Sequence, residues 1–224
     1  MSLDFDTTNP EEAKDLMLKL ELRQKELDTA NKAKDNFLDF VKAVWPEFIS
    51  GYHHKKIAEK FQQLKDKKLK RLIVNMPPRH TGHAPKTKII QATHTGELAF
   101  RFGRKVRNLM DHEDYKRVFK DVELSADSKA AGRWETNKGG EYFATGVGGA
   151  ITGRGADLLI IDDPHSEQDA LSETAFDNAY EWYTSGPRQR LQPGGIIVIV
   201  MTRWSTKDLT GRLMGAHRIS CNLS

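Results

Sequence analysis

Four short runs in this chain are continuous, mostly β-branched and free of polar alternation: Leu72-Ile73-Val74, Lys88-Ile89-Ile90-Gln91-Ala92-Thr93, Leu158-Leu159-Ile160-Ile161 and Ile196-Ile197-Val198-Ile199-Val200. A strand that alternates keeps one face wet. A strand that does not alternate must be covered on both faces, and that happens in a parallel sheet packed between helices. Helical spacing fills the gaps between the runs, so the order of elements predicts an α/β fold with a mostly parallel sheet flanked by helices.

The helices are bounded by recognisable chemistry. Thr95 caps a helix that runs to about Met110 with Glu97 in its first turn. Ser166-Glu167-Gln168-Asp169 has the form of a capping box, predicting a helix with Leu171, Ala175, Ala179 and Trp182 on one face. Ser205-Thr206-Lys207-Asp208 opens a last helix. Upstream, Pro46 and Gly51 break the pattern of Phe37 to Val41, and Tyr52 to Lys67 resumes it through Ile57, Phe61 and Leu64. From Pro10 to about Lys34 the chain is charged and helix-favouring, with Ala13, Leu16, Leu20 and Leu27 near one stripe, which predicts an N-terminal helical arm. The expected organisation is an arm over 1–36, an α/β domain over 37–214 and a tail over 215–224 with no assignable pattern.

A length of 224 residues suits one such domain. No window approaches the ~18 consecutive apolar residues of a membrane span, and the N-terminus is acidic where a signal peptide is basic and then apolar. The single cysteine, Cys221, forms no internal disulfide and seeds no zinc site. A cytosolic, reducing compartment is expected. The net charge of +4 is unevenly spread: eight Lys or Arg face two acids between Lys55 and Arg71, and Arg101, Arg104, Lys105 and Arg107 form a second basic cluster. From Gly155 to Pro187 there are eight Asp or Glu and no Lys or Arg. Such a pattern suits a metal ion held inside and a phosphate polymer held outside, and equally suits solvated helix faces.

In open α/β sheets ligands bind beyond the C-terminal ends of the strands, so the residues after each run carry the functional reading. The third run ends in Asp162-Asp163-Pro164, two carboxylates at a strand tip, the arrangement that holds Mg²⁺ and positions a water in nucleotide enzymes. The first ends in Asn75-Met76-Pro77-Pro78-Arg79-His80-Thr81-Gly82, where a phosphate loop would sit. The fourth ends in Met201-Thr202-Arg203-Trp204, where Arg203 either meets a phosphate, stacks on Trp204 or pairs with an acid. Ahead of the acidic run, Gly146 to Gly155 is glycine-rich and contains Arg154, a further candidate phosphate contact. No Gly-x-Ser-x-Gly elbow occurs, and the eight histidines show no metal-ligand spacing.

Taken in order, PPRHT after a strand, TGRGADLLIIDDPH and EWYTSGPRQRLQPGGIIVIVMTRW resemble the N-terminal ATPase part of a bacteriophage terminase large subunit, the motor that packages viral DNA into procapsids. The resemblance runs from about Phe37 to Leu213. It implies a P-loop NTPase-like domain of the ASCE class using ATP and Mg²⁺. By this resemblance Asp162 is the Walker B metal ligand and a catalytic carboxylate, and Asp163 stands where related motors have a catalytic glutamate. Arg154 is the candidate finger on a neighbouring subunit's ATP. Pro78, Arg79, His80 and Thr81 form the phosphate-binding stretch, and Thr202 and Arg203 lie in the coupling motif. Phe48, His54 and Gln62 fall where the family contacts adenine. The implied partners are double-stranded DNA, the terminase small subunit, the portal protein and further copies in a ring, with no membrane. The implied location is the host cytoplasm, at the procapsid portal.

Two departures bound this expectation. The family's phosphate loop continues with Lys and Ser or Thr opening a helix, whereas here Thr81-Gly82-His83-Ala84-Pro85-Lys86-Thr87 leads directly to the next strand. Only eleven residues lie between Met76 and Lys88, three of them proline, so a strand-helix-strand unit does not fit and one face of the sheet is expected to be left uncovered. Packaging motors also carry a nuclease domain after the ATPase part, and this sequence ends about twenty residues past the coupling motif, so no DNA cutting is expected of it. The readings are therefore a packaging ATPase with weak or no hydrolysis, a non-catalytic polyanion-binding domain using the two basic clusters, or a helicase-like nucleic-acid ATPase.

Overall fold

The computed structural model describes residues 10–74 and 87–216. Three helices open the chain, α1 (Pro10–Asp35), α2 (Phe37–Val44) and α3 (Tyr52–Lys65). The strands are β1 (Arg71–Val74), β2 (Lys88–Thr93), β3 (Leu124–Ala130), β4 (Arg133–Thr136), β5 (Glu141–Gly146), β6 (Ala156–Asp162) and β7 (Leu191–Val200). Helices α4 (Gly96–Asp111) and α5 (Glu113–Val118) follow β2, α6 (Glu173–Ser185) lies between β6 and β7, and α7 (Leu209–Ala216) follows β7. The sheet has seven strands in the order β1-β7-β6-β2-β5-β4-β3. The pairs β1·β7, β7·β6, β6·β2 and β2·β5 are parallel, and β5·β4 and β4·β3 antiparallel. Among the described residues no helix is long and apolar enough to cross a membrane.

The four non-alternating runs are β1, β2, β6 and β7, four of the five parallel strands, with β7, β6 and β2 inside the sheet and β1 first in its order. On one face Ile90, Ala92, Leu159, Ile161, Ile197 and Ile199 meet Tyr183 of α6 and Leu209 and Leu213 of α7. On the other, Ile89 packs with Phe40 of α2, Ala99 and Met110 of α4 and Tyr115 and Val118 of α5, while Leu72, Val198 and Val200 pack under Leu64 of α3. The uncovered face expected from the missing helix is found only in part. Leu159 and Ile161 are 0% exposed on the first face, whereas Leu158 and Ile160 are only half-buried on the second, between the cluster under α3 and the cluster under α4.

Three sequence expectations change. The antiparallel meander β3-β4-β5 was not anticipated, although Arg133-Trp134-Glu135-Thr136 and Glu141-Tyr142-Phe143-Ala144 do alternate, with Trp134, Thr136, Tyr142 and Ala144 turned inward. The Ser166–Asp169 box forms, with the Ser166 N–H on the Asp169 carboxylate at 2.8 Å and the Asp169 N–H on Ser166 Oγ at 3.2 Å, but it opens only a one-turn 3-10 stretch, Asp169–Leu171. Helix α6 begins afterwards, capped by Ser172 on the Ala175 N–H, and turns Phe176, Ala179 and Tyr183 inward while Leu171 is 92% exposed. Third, the arm is a helix as expected, yet its leucine stripe is solvent-facing, and only Ala30 and Ala33 in its last turns are buried.

Helix α4 is seated on the meander through Gly103. A Cβ there would stand 2.4 Å from the Ala131 carbonyl oxygen and 2.9 Å from the Tyr142 ring, and the Gly103 carbonyl accepts the Trp134 Nε1 proton at 3.3 Å. Gly103→Ala forces backbone against backbone, so an overpacking loss of about 2–3 kcal/mol is expected in urea unfolding. A change below half of that would mean that α4 is free to shift.

Candidate functional site at the C-terminal sheet edge

Register brings three segments together. Val74 of β1 pairs with Val200 of β7, and Val200 pairs with Asp162 of β6, so the three strands end in one row. Val74, the Asp162-Asp163 pair and the Met201-Thr202-Arg203 stretch therefore share one edge of the sheet. Pro78, Arg79, His80 and Thr81 lie outside the described residues, as does the Thr81–Ala84 junction.

Asp163 ties the edge together. Its N–H donates to the Val200 carbonyl at 2.8 Å, its carbonyl accepts from His94 N–H beyond β2 at 3.1 Å, and its Oδ1 accepts the Thr202 N–H at 3.2 Å. Its φ is +42°, a left-handed conformation held by bonds to two neighbouring strand ends. Asp162 is different. It is 8% exposed, and burial, with the Asp163 carboxylate beside it, raises its pKa from 3.8 to about 6. Among the described residues no donor offsets this. A buried carboxylate without a donor is an anion short of a cation.

The pair fits Mg²⁺ in one specific way. Mg²⁺ takes one or two protein carboxylates and completes its shell with water and phosphate oxygens. Asp162 supplies such a carboxylate, and no group of three or more His, Cys, Asp or Glu converges on one point among the described residues. The donor set thus suits a cation that arrives with a nucleotide, not a closed all-protein cage.

The stretch after β7 is organised by a residue whose role sequence reasoning missed. Asp208 is 0% exposed. Its Oδ2 accepts from Arg203 Nε at 2.9 Å, Trp204 N–H at 3.0 Å and Ser205 N–H at 3.1 Å, and its Oδ1 accepts from Thr210 Oγ1 at 3.1 Å and Gly211 N–H at 2.8 Å. Burial alone would raise its pKa, but the bonds from Ser205, Gly211, Arg203 and Trp204 outweigh burial and hold it below the usual carboxylate range. Of the three readings open for Arg203, the structure realises pairing with an acid: Nη2 also donates to Ser205 O at 2.9 Å, and Nη1 lies 3.8 Å from Met214 Sδ. His165, 4% exposed, accepts the Leu209 N–H on Nε2 at 3.1 Å, and burial lowers its pKa, so a neutral ring pins the segment after β6 to the start of α7.

Two expected site residues have partners within the chain. Arg154 precedes β6, whose two ends are six residue steps or about 20 Å apart, and so lies at the edge opposite Asp162. Its guanidinium pairs with Glu141 and stacks on Phe143, 4.1 Å from the ring centroid. It cannot contact a phosphate held by its own chain's acid pair. Gln62 is committed to structure, its Oε1 accepting Phe37 N–H at 3.3 Å and its Nε2 donating to Asp66 at 3.1 Å. Phe48, in the loop before α3, and His54, in its first turn, do meet, with ring centroids 4.9 Å apart.

Basic side chains form one clear surface. Arg101, Arg104 and Lys105 are exposed on one side of α4 at helical spacing, none of them ion-paired among the described residues. No family model and no curated protein matches this chain.

Proposed function

We propose that this chain is the ATPase part of a viral DNA-packaging motor, a P-loop NTPase-like domain of the ASCE class that binds ATP with Mg²⁺ at the edge shared by β1, β7 and β6. The observation that carries the reading is the row Val74–Val200–Asp162, together with the Thr202 N–H on Asp163. That row sets the end of β1, the acid pair and the stretch after β7 side by side, with β7 between the other two strands. Mg²⁺, when bound with the nucleotide, neutralises charge on the phosphate oxygens. Asp162 holds it, and the Asp163 oxygen not engaged by Thr202 is the one available to orient a water. The Asp163–Thr202 bond passes any displacement of Asp163 to the Arg203–Asp208 loop and so to α7. In this reading DNA, the small subunit, the portal protein and sister subunits are the partners, and the host cytoplasm is the setting. In this reading hydrolysis is slow, because the sequence between His80 and β2 holds no Lys-Ser pair and too few residues for the helix that completes a phosphate cradle.

The test is equilibrium binding of a fluorescent ATP analogue with Mg²⁺. Binding by the unaltered chain and its loss in Asp162→Asn supports the reading. Absence of binding by the unaltered chain overturns it.

The basic face of α4 favours a second reading, a polyanion-binding domain without catalysis. Each phosphate contact contributes a slope of about −0.9 in log K against log salt, so replacing Arg101, Arg104 and Lys105 by Ala is expected to flatten the slope for duplex DNA by about 2–3. An unchanged slope would place DNA elsewhere.

A further inference from the structure

Two buried polar groups without partners lie on the same face of the sheet. Gln91, in the middle of β2, is 1% exposed. Its Oε1 accepts the Tyr142 hydroxyl, while its Nε2 has no partner among the described residues. Asp162 is the other, an 8% exposed carboxylate with no described donor.

Register relates them. Gln91 pairs with Ile160 on one side and Ala144 on the other. Side chains alternate along each strand, so Tyr142, Gln91 and Asp162 share a face and fall on a diagonal across β5, β2 and β6, with Gln91 between the other two. After burial itself, the charge of Asp162 adds to the rise in the Tyr142 pKa, which places the two within electrostatic reach. Because the hydroxyl holds the amide oxygen, the NH₂ end is the one left without a partner among the described residues. Tyr142 is fixed in turn: Trp134 stacks on it at 4.8 Å and 2°, and Trp134 is anchored to the Gly103 carbonyl. An apolar residue would fill this position without orphaning a donor, and the flanking residues of the run are apolar.

We propose that Gln91 is a positioning residue for the acid pair: its Nε2 donates to the Asp162 carboxylate, directly or through one water, and so fixes the direction in which the other carboxylate oxygen is presented at the sheet edge. Tyr142 selects the amide orientation, and Trp134 holds Tyr142. The inference rests on the Mg²⁺-nucleotide reading for its purpose, and on the shared face, the register and the unpartnered Nε2 for its geometry.

Two measurements test it. Gln91→Met keeps length and removes both donor and acceptor. In the presence of a non-hydrolysable ATP analogue it is expected to weaken Mn²⁺ binding, read by electron paramagnetic resonance, about 10–100-fold, the usual loss when an outer partner of a metal ligand is removed. Tyr142→Phe, which preserves the ring packing, is expected to give a smaller loss in the same assay and serves if Gln91→Met does not fold. Separately, a double-mutant cycle of Gln91→Met with Asp162→Leu by urea unfolding in metal-free buffer is expected to be non-additive by about fivefold or more in the unfolding constant. An additive cycle overturns the proposal, as does Mn²⁺ affinity unchanged in both Gln91→Met and Tyr142→Phe. If the unaltered chain binds neither Mn²⁺ nor nucleotide, the ATPase reading falls, and the cycle alone decides for or against the Gln91–Asp162 contact.

Discussion

Asp162→Asn is expected to make the metal-free chain more stable at neutral pH while abolishing metal-dependent nucleotide binding. The carboxylate is 8% exposed, and burial first, then the neighbouring Asp163, raise its pKa from 3.8 to about 6. Below pH 4 the group is protonated in both folded and unfolded chains and imposes no penalty. As pH rises through the window from about 4 to about 6, the unfolded chain ionises before the folded one, and stability is lost. Above pH 6 the loss is complete and constant. A shift of about two units corresponds to roughly 3 kcal/mol, so Asn, which carries no charge, is expected to recover about 2–3 kcal/mol at pH 8 and almost nothing at pH 4. Urea unfolding of both chains at the two pH values checks this. Equal stability at pH 8 would show that water, or the Gln91 amide proposed above, already offsets the burial of the carboxylate. Mg²⁺ with nucleotide is expected to stabilise the Asp chain alone, since the cation offsets what burial costs. A residue that destabilises its own fold until a ligand arrives is the pattern expected of a functional site.

The second large effect is expected at Asp208. Its carboxylate accepts five donors at 0% exposure and binds the stretch after β7 to the start of α7. Asp208→Ala strands the Trp204, Ser205 and Gly211 N–H groups and leaves Arg203 without its counter-ion. Removing one member of a buried pair costs about 3–5 kcal/mol, and because the Arg203 side chain is 34% exposed and can reach water, about 3 kcal/mol is expected. Because hydrogen bonds depress the Asp208 pKa, its contribution is present above the unfolded value of 3.8 and is lost as pH falls through the lower folded value. The variant should therefore differ from the parent at pH 7 and converge with it in strong acid. A loss under 1 kcal/mol at pH 7 would mean that the loop finds other acceptors.

Much of this was legible before any coordinates. Thr95 accepts the Leu98 N–H at the start of α4, and the four non-alternating runs are four parallel strands of one sheet, because capping and two-sided burial are written in adjacent residues. The acid pair was legible for the same reason, since a polar residue directly after an apolar strand marks a strand tip. Gln91 carried a comparable signal, a polar residue inside an apolar run, whose meaning depends on Tyr142, fifty-one positions away.

Other features depended on pairing between distant segments. Leu171 fits the periodicity of a helical face, yet the helix starts after it, because Ser172 competes successfully for the cap position. Arg154 is eight positions from Asp162 in the chain yet lies at the opposite sheet edge, because the strand between them separates its ends by about 3.3 Å per residue. Arg203 had three readings of equal local merit, and Asp208 settled the matter by burying a carboxylate within its reach. Short-range chemistry, which acts between residues a few positions apart, established the element types, their caps and the acid pair at a strand tip. The strand order, the shared edge of β1, β7 and β6 and the choice of partner for each charge came from long-range packing, since only a closed sheet sets which strand ends meet and which carboxylates are left without a donor.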